Sequence, residues 1–249
     1  MAYLIIDAGN TRVKVFVFEG DKVVFDKCSD SDLLEENFLK IFSLFLISKI
    51  IMCSVGALHQ KIASLLEGKA PLTVLTSKTK VPFKNLYQTP NTLGVDRIAL
   101  MSAAAVLYPA KDVLVIDAGT CVTFDFLNSD CVYLGGAISL GLEMRYKALH
   151  TFTEKLPKLT FRDPEKLIGD TTESSIHTGV VSGFVAELSG VIDQYEERYP
   201  NLTVVLTGGD MNYLSIRLKN RIFANSNFLV EGLNAILKYE TYETYETYE

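Results

Sequence analysis

Two stretches of the chain carry nearly the same order of apolar and polar positions. Residues 4–18 read LIIDAGNTRVKVFVF and residues 114–126 read LVIDAGTCVTFDF. Each opens on an apolar run ending in Ile-Asp-Ala-Gly, passes a short polar turn, and resumes apolar positions at every second residue. Asp7 aligns with Asp117 and Gly9 with Gly119. With one extra residue allowed in the first copy, Thr11 aligns with Thr120, and Val13, Val15 and Val17 with Val122, Phe124 and Phe126. A period of two on both sides of a glycine turn predicts strand, tight turn, strand in each copy.

The flanking patterns extend both copies. Residues 22–27 alternate as a third strand, and Ser31 or Asp32 is placed to cap a helix with Glu35 in its first turn. A buried strand is predicted over 49–54, a helix over 58–66 closed by Gly68, and a strand over 72–75. Pro82, Asn85, Pro90, Asn91 and Gly94 then mark turns, before a helix over 96–108 whose alanines, Ala99 and Ala103 to Ala105, permit close packing. After the second hairpin, 133–138 completes a three-strand meander, 140–149 reads as helix and 156–170 as an irregular loop. The longest helical pattern is 172–199, with Gly179, Gly183 and Gly190 inside it. Each such glycine costs ~1 kcal/mol against Ala, so close packing on another helix or on a subunit is expected there. A short strand over 202–206 ends in Thr207-Gly208-Gly209-Asp210; a helix, a strand around Ile222 and a helix over 230–238 follow. The whole reads as a duplicated ββαβα-type α/β unit, with domains at 1–110 and 111–240 and a cleft between them. The repeat TYETYETYE at 241–249 has no core-forming side chains and is expected to be disordered.

Composition narrows the function classes. With 48% hydrophobic and 22% charged residues, the 249-residue chain reads as an ordinary globular protein. A net charge of −6 argues against a nucleic-acid partner, which needs a basic face. No signal peptide is expected, because Asp7 precedes any useful apolar run. The most membrane-like stretch, 38–53, is shorter than the ~20 residues of a span and is interrupted by Lys40 and Lys49. It reads instead as the end of an amphipathic helix followed by a buried strand, with no membrane partner. The four cysteines show no CxxC spacing, and Cys53 and Cys121, in apolar runs, are expected to be inert buried thiols of a reducing cytoplasm.

Candidate chemistry gathers at the turns. Asp, Gly and Asn favour turns by themselves, but Lys14 stands in an otherwise apolar strand, where a cation needs an anion or solvent. With Asp7, Asn10 and Thr11 it suggests a phosphate; the GxxxxGK[ST] loop is absent, and a strand follows the turn rather than a helix. Asp117 ends an apolar strand and calls for a cation or a set of N–H donors, while the hydroxyl of Thr120 and nearby amides suit phosphate; a plain capped turn is the competing reading. Two such turns facing each other would clamp a polyphosphate and its cation. Asp125 is expected to be solvated. Paired glycines at 208 and 209 would let a flat group such as a nucleobase lie on the backbone. In Leu93-Gly94-Val95-Asp96-Arg97, Asp96 either caps the following helix or acts as a general base, with Arg97 holding a carboxylate or a migrating phosphoryl group. His59, His150 and His177 have no metal spacing, and no Ser-His-Asp set can be argued.

The motifs IDAGNTRVK, TLGVDRIA, IDAGTCVTFD, GGAISLGLEM followed by FTEKLPKL, IGDTTESSIHTG and LTGGD occur in an order and spacing that resemble the type III pantothenate kinases, from residue 4 to about 237. That family belongs to the acetate and sugar kinase/Hsp70/actin superfamily. The resemblance implies duplicated ribonuclease H-like, actin-like ATPase domains with mixed sheets and an interdomain nucleotide cleft. It implies phosphorylation of pantothenate by ATP, the first step of coenzyme A synthesis, in a cytoplasmic homodimer using Mg²⁺ and a monovalent cation, K⁺ or NH₄⁺. Carried over residue by residue, it implies that Asp7, Ala8, Gly9, Asn10, Thr11, Arg12, Val13 and Lys14 hold the ATP phosphates together with Thr120. Asp96 would accept the proton; Gly94, Val95, Arg97, Tyr87 and Thr172 would line the pantothenate site; Asp117 would bind the monovalent cation. One position departs: where the family usually has Ile-x-Pro-Gly, the proline position is Leu140. The alternatives are a kinase for another small hydroxyl or carboxylate substrate, and a non-catalytic regulatory relative. Asp96, Arg97, Asp117 and Lys14 argue against the latter.

Overall fold

A computed structural model describes residues 2–9, 13–54, 58–218 and 221–246. The chain divides into two compact units, 1–109 with 227–249 and 110–226.

In the first unit, β1 (Ala2–Ala8), β2 (Val13–Glu19) and β3 (Lys22–Ser29) form an antiparallel meander, as the alternation predicts. A 3-10 turn and α1 (Leu34–Leu44) follow, then β4 (Ile47–Ser54), α2 (His59–Leu66) and β5 (Leu72–Val74). Asp30, rather than Ser31 or Asp32, occupies the cap position of that turn, with no side-chain hydrogen bond. The strand order is β3-β2-β1-β4-β5, with β1, β4 and β5 parallel. Leu4, Ile6, Val15 and Val17 point to one face, where they meet Leu34, Phe38 and Ile41 of α1 and Ile62 and Leu66 of α2. Each fully buried side chain of this size contributes about 1.5–3 kcal/mol. The membrane-like stretch thus resolves into the end of α1 and buried β4. A two-residue strand, β6 (Lys84–Asn85), precedes α3 (Val95–Leu107).

The second unit repeats the plan. It runs β7 (Val113–Ala118), β8 (Cys121–Leu127), β9 (Val132–Leu140), α4 (Leu142–Thr151), α5 (Thr172–His177), α6 (Gly183–Arg198), β10 (Thr203–Thr207), α7 (Met211–Arg217) and β11 (Phe223–Ala224). The strands follow the order β9-β8-β7-β10-β11, with β7, β10 and β11 parallel and β7, β8 and β9 antiparallel. Strand for strand this matches the first unit, so the duplication and the mixed sheets are present. One π-helical turn, Thr178–Ser182, joins α5 and α6. By length and composition, 172–198 is the one helix among the described residues apolar enough to cross a membrane; its Val181, Phe184, Leu188 and Ile192 are buried in the core of this unit. A Cβ on Gly179, Gly183 or Gly190 would meet nothing within 4 Å. The expected packing of another helix there is therefore not found among the described residues.

The last helix, α8 (Phe228–Glu246), corrects the expected boundaries. It returns to the first unit, so the second domain ends at Ser226 rather than at 240. The alanine face of α3 receives it: a Cβ on Gly232 would lie 1.8 Å from the carbonyl oxygen of Ala99. Asn234 Nδ2 donates to Gly20 O at 2.9 Å, Lys49 Nζ to Thr241 Oγ1 at 2.8 Å, and Lys238 pairs with Asp21. The helix runs through Glu246, into the repeat at 241–249. The last three residues of the repeat lie outside the described residues.

Candidate functional site

In β1, Leu4, Ile6 and Ala8 face the helices α1 and α2, so the strand's alternation turns Asp7 to the opposite face. There it is paired in register with Lys14 of β2 and Cys53 of β4. Burial raises the Asp7 pKa above its usual value; Lys14 pulls it down and the neighbouring Asp96 carboxylate pushes it further up. The Cys53 thiol, buried beside Asp7 and Asp96, is pushed far above its ordinary range and stays protonated. Ala8 and Val13 close the strand ends in register, Gly9 is half-buried and Lys14 is exposed. Asn10, Thr11 and Arg12 lie outside the described residues.

Asp96 arrives on the same face from the first turn of α3. Gly94 occupies the cap position, and a Cβ there would fall 2.4 Å from Asp96 Oδ1, so only glycine lets this carboxylate fold back over the helix start. The same oxygen accepts the Arg97 backbone N–H at 2.8 Å. Arg97 is only 5% exposed, and its guanidinium lies 5.5 Å from the ring centroid of Tyr87. Tyr87 N–H in turn donates to Asn85 Oδ1 at 2.9 Å. The first unit therefore brings Asp96 near Asp7 and packs Arg97 over Tyr87, with Val95 half-buried.

The corresponding position in the second unit is Asp117, half-buried at the end of β7. Its register partners are Thr123 on β8 and Thr207 on β10, which sets hydroxyls on both sides of the carboxylate. Thr123 Oγ1 is buried and has no hydrogen-bond partner among the described residues. Two glycines clamp the 118–120 turn. A Cβ on Gly208 (φ +96°) would lie 2.4 Å from Ala118 O and 2.5 Å from Asp117 Oδ1. A Cβ on Gly141 would lie 2.1 Å from Gly119 O and 2.3 Å from Thr120 O. Asp210 N–H donates to Ala118 O at 3.0 Å, and burial, with Glu143 nearby, raises the Asp210 carboxyl pKa. Thr120 itself is exposed.

Thr172 opens α5 behind a capping box in which Thr171 Oγ1 accepts the Ser174 N–H. It lines an open groove of about 1150 Å³ with Leu149, Phe152, Leu156 and Ile176. Leu140 lines the same groove, and Gly141 next to it closes on the turn. Leu140 pairs in register with Cys121, so β9 runs one residue into the position where the family has proline.

Two expectations are corrected here. Asp125 is fully buried, not solvated, and accepts the Tyr133 hydroxyl at 2.6 Å. Cys121 is exposed rather than buried, its Sγ 3.8 Å from Met144 Sδ. Reading the chain alone also gave no role to Gly141, Thr123 or Thr207. The signal available was Thr123 and Thr207 standing polar inside apolar strands.

No three His, Cys, Asp or Glu side chains cluster as a metal site among the described residues. The oxygen donors are few: Asp7 with Asp96 nearby in the first unit, and Asp117 with its threonines in the second. Such donors fit hard cations that keep water or substrate phosphate as their remaining ligands. Carboxylates at the ends of two strands, a glycine-tightened turn and a helix-start Asp beside an Arg have the parts that phosphoryl transfer requires.

Comparison with known proteins agrees with this chemistry. The profile of the type III pantothenate kinase family matches residues 3–194. A type III pantothenate kinase of Christiangramia forsetii is 49% identical over 237 residues, 95% of this chain and 98% of that one. Among solved structures, a Campylobacter jejuni protein described as a Baf family transcriptional activator superposes with a TM-score of 0.63 at 21% identity, covering 96% of this chain and 98% of that one. A glucokinase from an Antarctic psychrotroph gives a TM-score of 0.52 at 12% identity, covering 95% and 98%. These two likenesses establish the actin-like sugar-kinase fold.

Proposed function

The chain belongs to the type III pantothenate kinase family, and we propose on that premise a role for each residue of the two turns and of the α3 start. The activity is phosphorylation of pantothenate by ATP to 4′-phosphopantothenate, entering coenzyme A synthesis. The observation that carries the residue assignment is the approach of Asp96 to Asp7, with the next residue, buried Arg97, packed over Tyr87.

Asp96 is the general base. Its carboxylate takes the proton of the primary hydroxyl as that oxygen attacks the γ-phosphorus in line with the leaving ADP oxygen. Arg97, its guanidinium over the Tyr87 ring, suits the pantothenate carboxylate, with Gly94 and Val95 beside it; in the second unit Thr172 takes a substrate-binding role. Residues 7–14 take the ATP-phosphate role in the first unit, and Thr120 takes it in the second. Lys14 adds a positive charge that offsets the transferring group.

A divalent metal accompanies ATP in this family, and Asp7, whose burial already disfavours its charge, is the donor that would gain most from it. When bound, the metal neutralises charge on the β- and γ-phosphates. Asp117, with Thr123 and Thr207, would hold K⁺ or NH₄⁺. The reading includes a cytoplasmic homodimer; the open helix face at Gly179, Gly183 and Gly190 leaves room for a second copy.

The test is ADP release with ATP, Mg²⁺ and a panel of hydroxy acids, with K⁺ against Na⁺. Turnover is expected with pantothenate alone and is expected to fall when K⁺ is replaced. Turnover of a different hydroxy acid in preference would overturn the substrate, and no turnover at all would favour a ligand-binding, non-catalytic protein.

A further inference from the structure

The segment between α4 and α5, residues 152–171, contains neither helix nor strand, yet the second unit holds it firmly. Near its end, Lys166 O accepts the Thr178 hydroxyl at 3.0 Å, and Thr171 caps α5. At its middle, α7 grips Asp163. Arg217 Nη2 lies 2.5 Å from both carboxylate oxygens, and the Tyr213 hydroxyl donates to Oδ1 at 3.0 Å. Phe161 packs edge-on against Tyr213, ring centroids 4.8 Å apart, and the Arg217 guanidinium sits 5.1 Å from the Tyr213 centroid. Tyr213 and Arg217 are one helical turn apart and present one face. Burial, and then the bond to Asp163, push the Tyr213 pKa up to about 12, so its hydroxyl remains a donor at physiological pH.

An isolated exposed ion pair would contribute little, about 0.2–1 kcal/mol. Here a carboxylate, one guanidinium nitrogen shared between its two oxygens, a tyrosine hydroxyl and two ring contacts converge on one point of an otherwise irregular segment, and such networks exceed their separate pairs. Its place in the chain gives it a task. The N-terminal end of α7 follows Thr207–Gly208–Gly209–Asp210, whose Asp210 N–H is bonded to Ala118 O. The strap leads directly into Thr171 and Thr172, which rim the groove. One short helix thus ties the 118–120 turn to the strap.

We propose that Asp163, Tyr213 and Arg217 are positioning residues for the phosphoryl acceptor. By latching the strap to α7 they hold the Thr172 rim in place for pantothenate without touching the substrate. The proposal rests on the reading of Thr172 as a substrate residue, and the test separates the two.

The full chain is assayed as Asp163→Asn, Tyr213→Phe, Arg217→Met and Arg217→Lys, with Thr172→Val alongside. Asp163→Asn is expected to raise KM for pantothenate about tenfold while KM for ATP and kcat stay within about twofold, the signature of lost acceptor binding. Arg217→Lys is expected to recover part of what Arg217→Met loses, and Asp163→Asn combined with Arg217→Met to be no worse than either alone. Trypsin, which can cut the strap at Lys155, Lys158, Arg162 and Lys166, is expected to do so several-fold faster in Asp163→Asn. An unchanged pantothenate KM in Asp163→Asn overturns the latch, as does a fall of kcat and both affinities together with the melting temperature. If Thr172→Val leaves pantothenate KM alone while Asp163→Asn raises it, the latch stands and the Thr172 role falls. If only Thr172→Val raises it, the latch falls.

Discussion

Asp7 lives where its charge is unwelcome, and that has a measurable sign. Its folded pKa lies above the unfolded value, so the unfolded chain loses this proton first as pH rises. Stability is therefore lost across the window between the two values, and the loss is complete above the folded pKa. Asp7→Asn is expected to melt higher than wild type at pH 7, with the difference vanishing in acid, while turnover collapses. Equal melting temperatures at pH 7 would show that burial does not strain this group. Asp96→Asn removes the proton acceptor and is expected to lower kcat at least a hundredfold, about 2.7 kcal/mol or more of barrier, with the fold intact by circular dichroism. Retention of a tenth of the activity would refute the base assignment. Gly141→Ala pushes a methyl into the 119–120 carbonyls, so its expected effect is a rise in KM for ATP with pantothenate KM little changed. At this scale the chain was only partly readable. Alternation assigned Asp7 and Asp117 to strand ends correctly. It could not tell that the Asp125 face is covered and furnished with a tyrosine hydroxyl, nor that Cys121 stands at an exposed strand start, because both depend on partners distant in sequence.

Among the elements, strands were the most legible, since a period of two with glycine turns leaves little choice of pairing. Strands β1 to β5 and β7 to β11 lie close to where the pattern put them; the two-residue β6 was not foreseen. Helix surroundings were harder to read. The glycines of 172–198 signalled another helix or a subunit; among the described residues no helix packs there, and a close helix–helix approach occurs instead at Gly232, where α8 meets α3 backbone to backbone. The alanines at 99 and 103 were the true sign of it. Gly232→Val is expected to cost about 3 kcal/mol, the upper range for overpacking, and to lower the melting temperature by about 6 °C or more. The same substitution at Gly179, above open space, is expected to change monomer stability by far less. Parity between the two in a thermal melt would refute the α3–α8 contact.

For the whole molecule, the repeat in sequence proved to be a repeat in topology, down to the parallel and antiparallel pairs of each sheet. What the repeat could not reveal is that one copy is interrupted in sequence by the other. Residues 110–226 form a continuous compact unit, whereas 1–109 lacks the helix that covers α3, β1 and β4. The segment 110–226 made alone is expected to give a cooperative thermal transition. The segment 1–109 is expected to give none until a 227–246 peptide is supplied. A cooperative melt of 1–109 by itself would show that α8 is dispensable.

That α8 comes last has a consequence for how the protein is born. The ribosome releases strands β1 to β5 early, yet the helix that must seal them is synthesised only after the entire second unit has emerged. The nascent chain therefore carries an unsealed apolar sheet until residues 228 onward have emerged. A stop at codon 227 would leave the proposed catalytic side chains encoded in full and the protein still a substrate for chaperones and proteases.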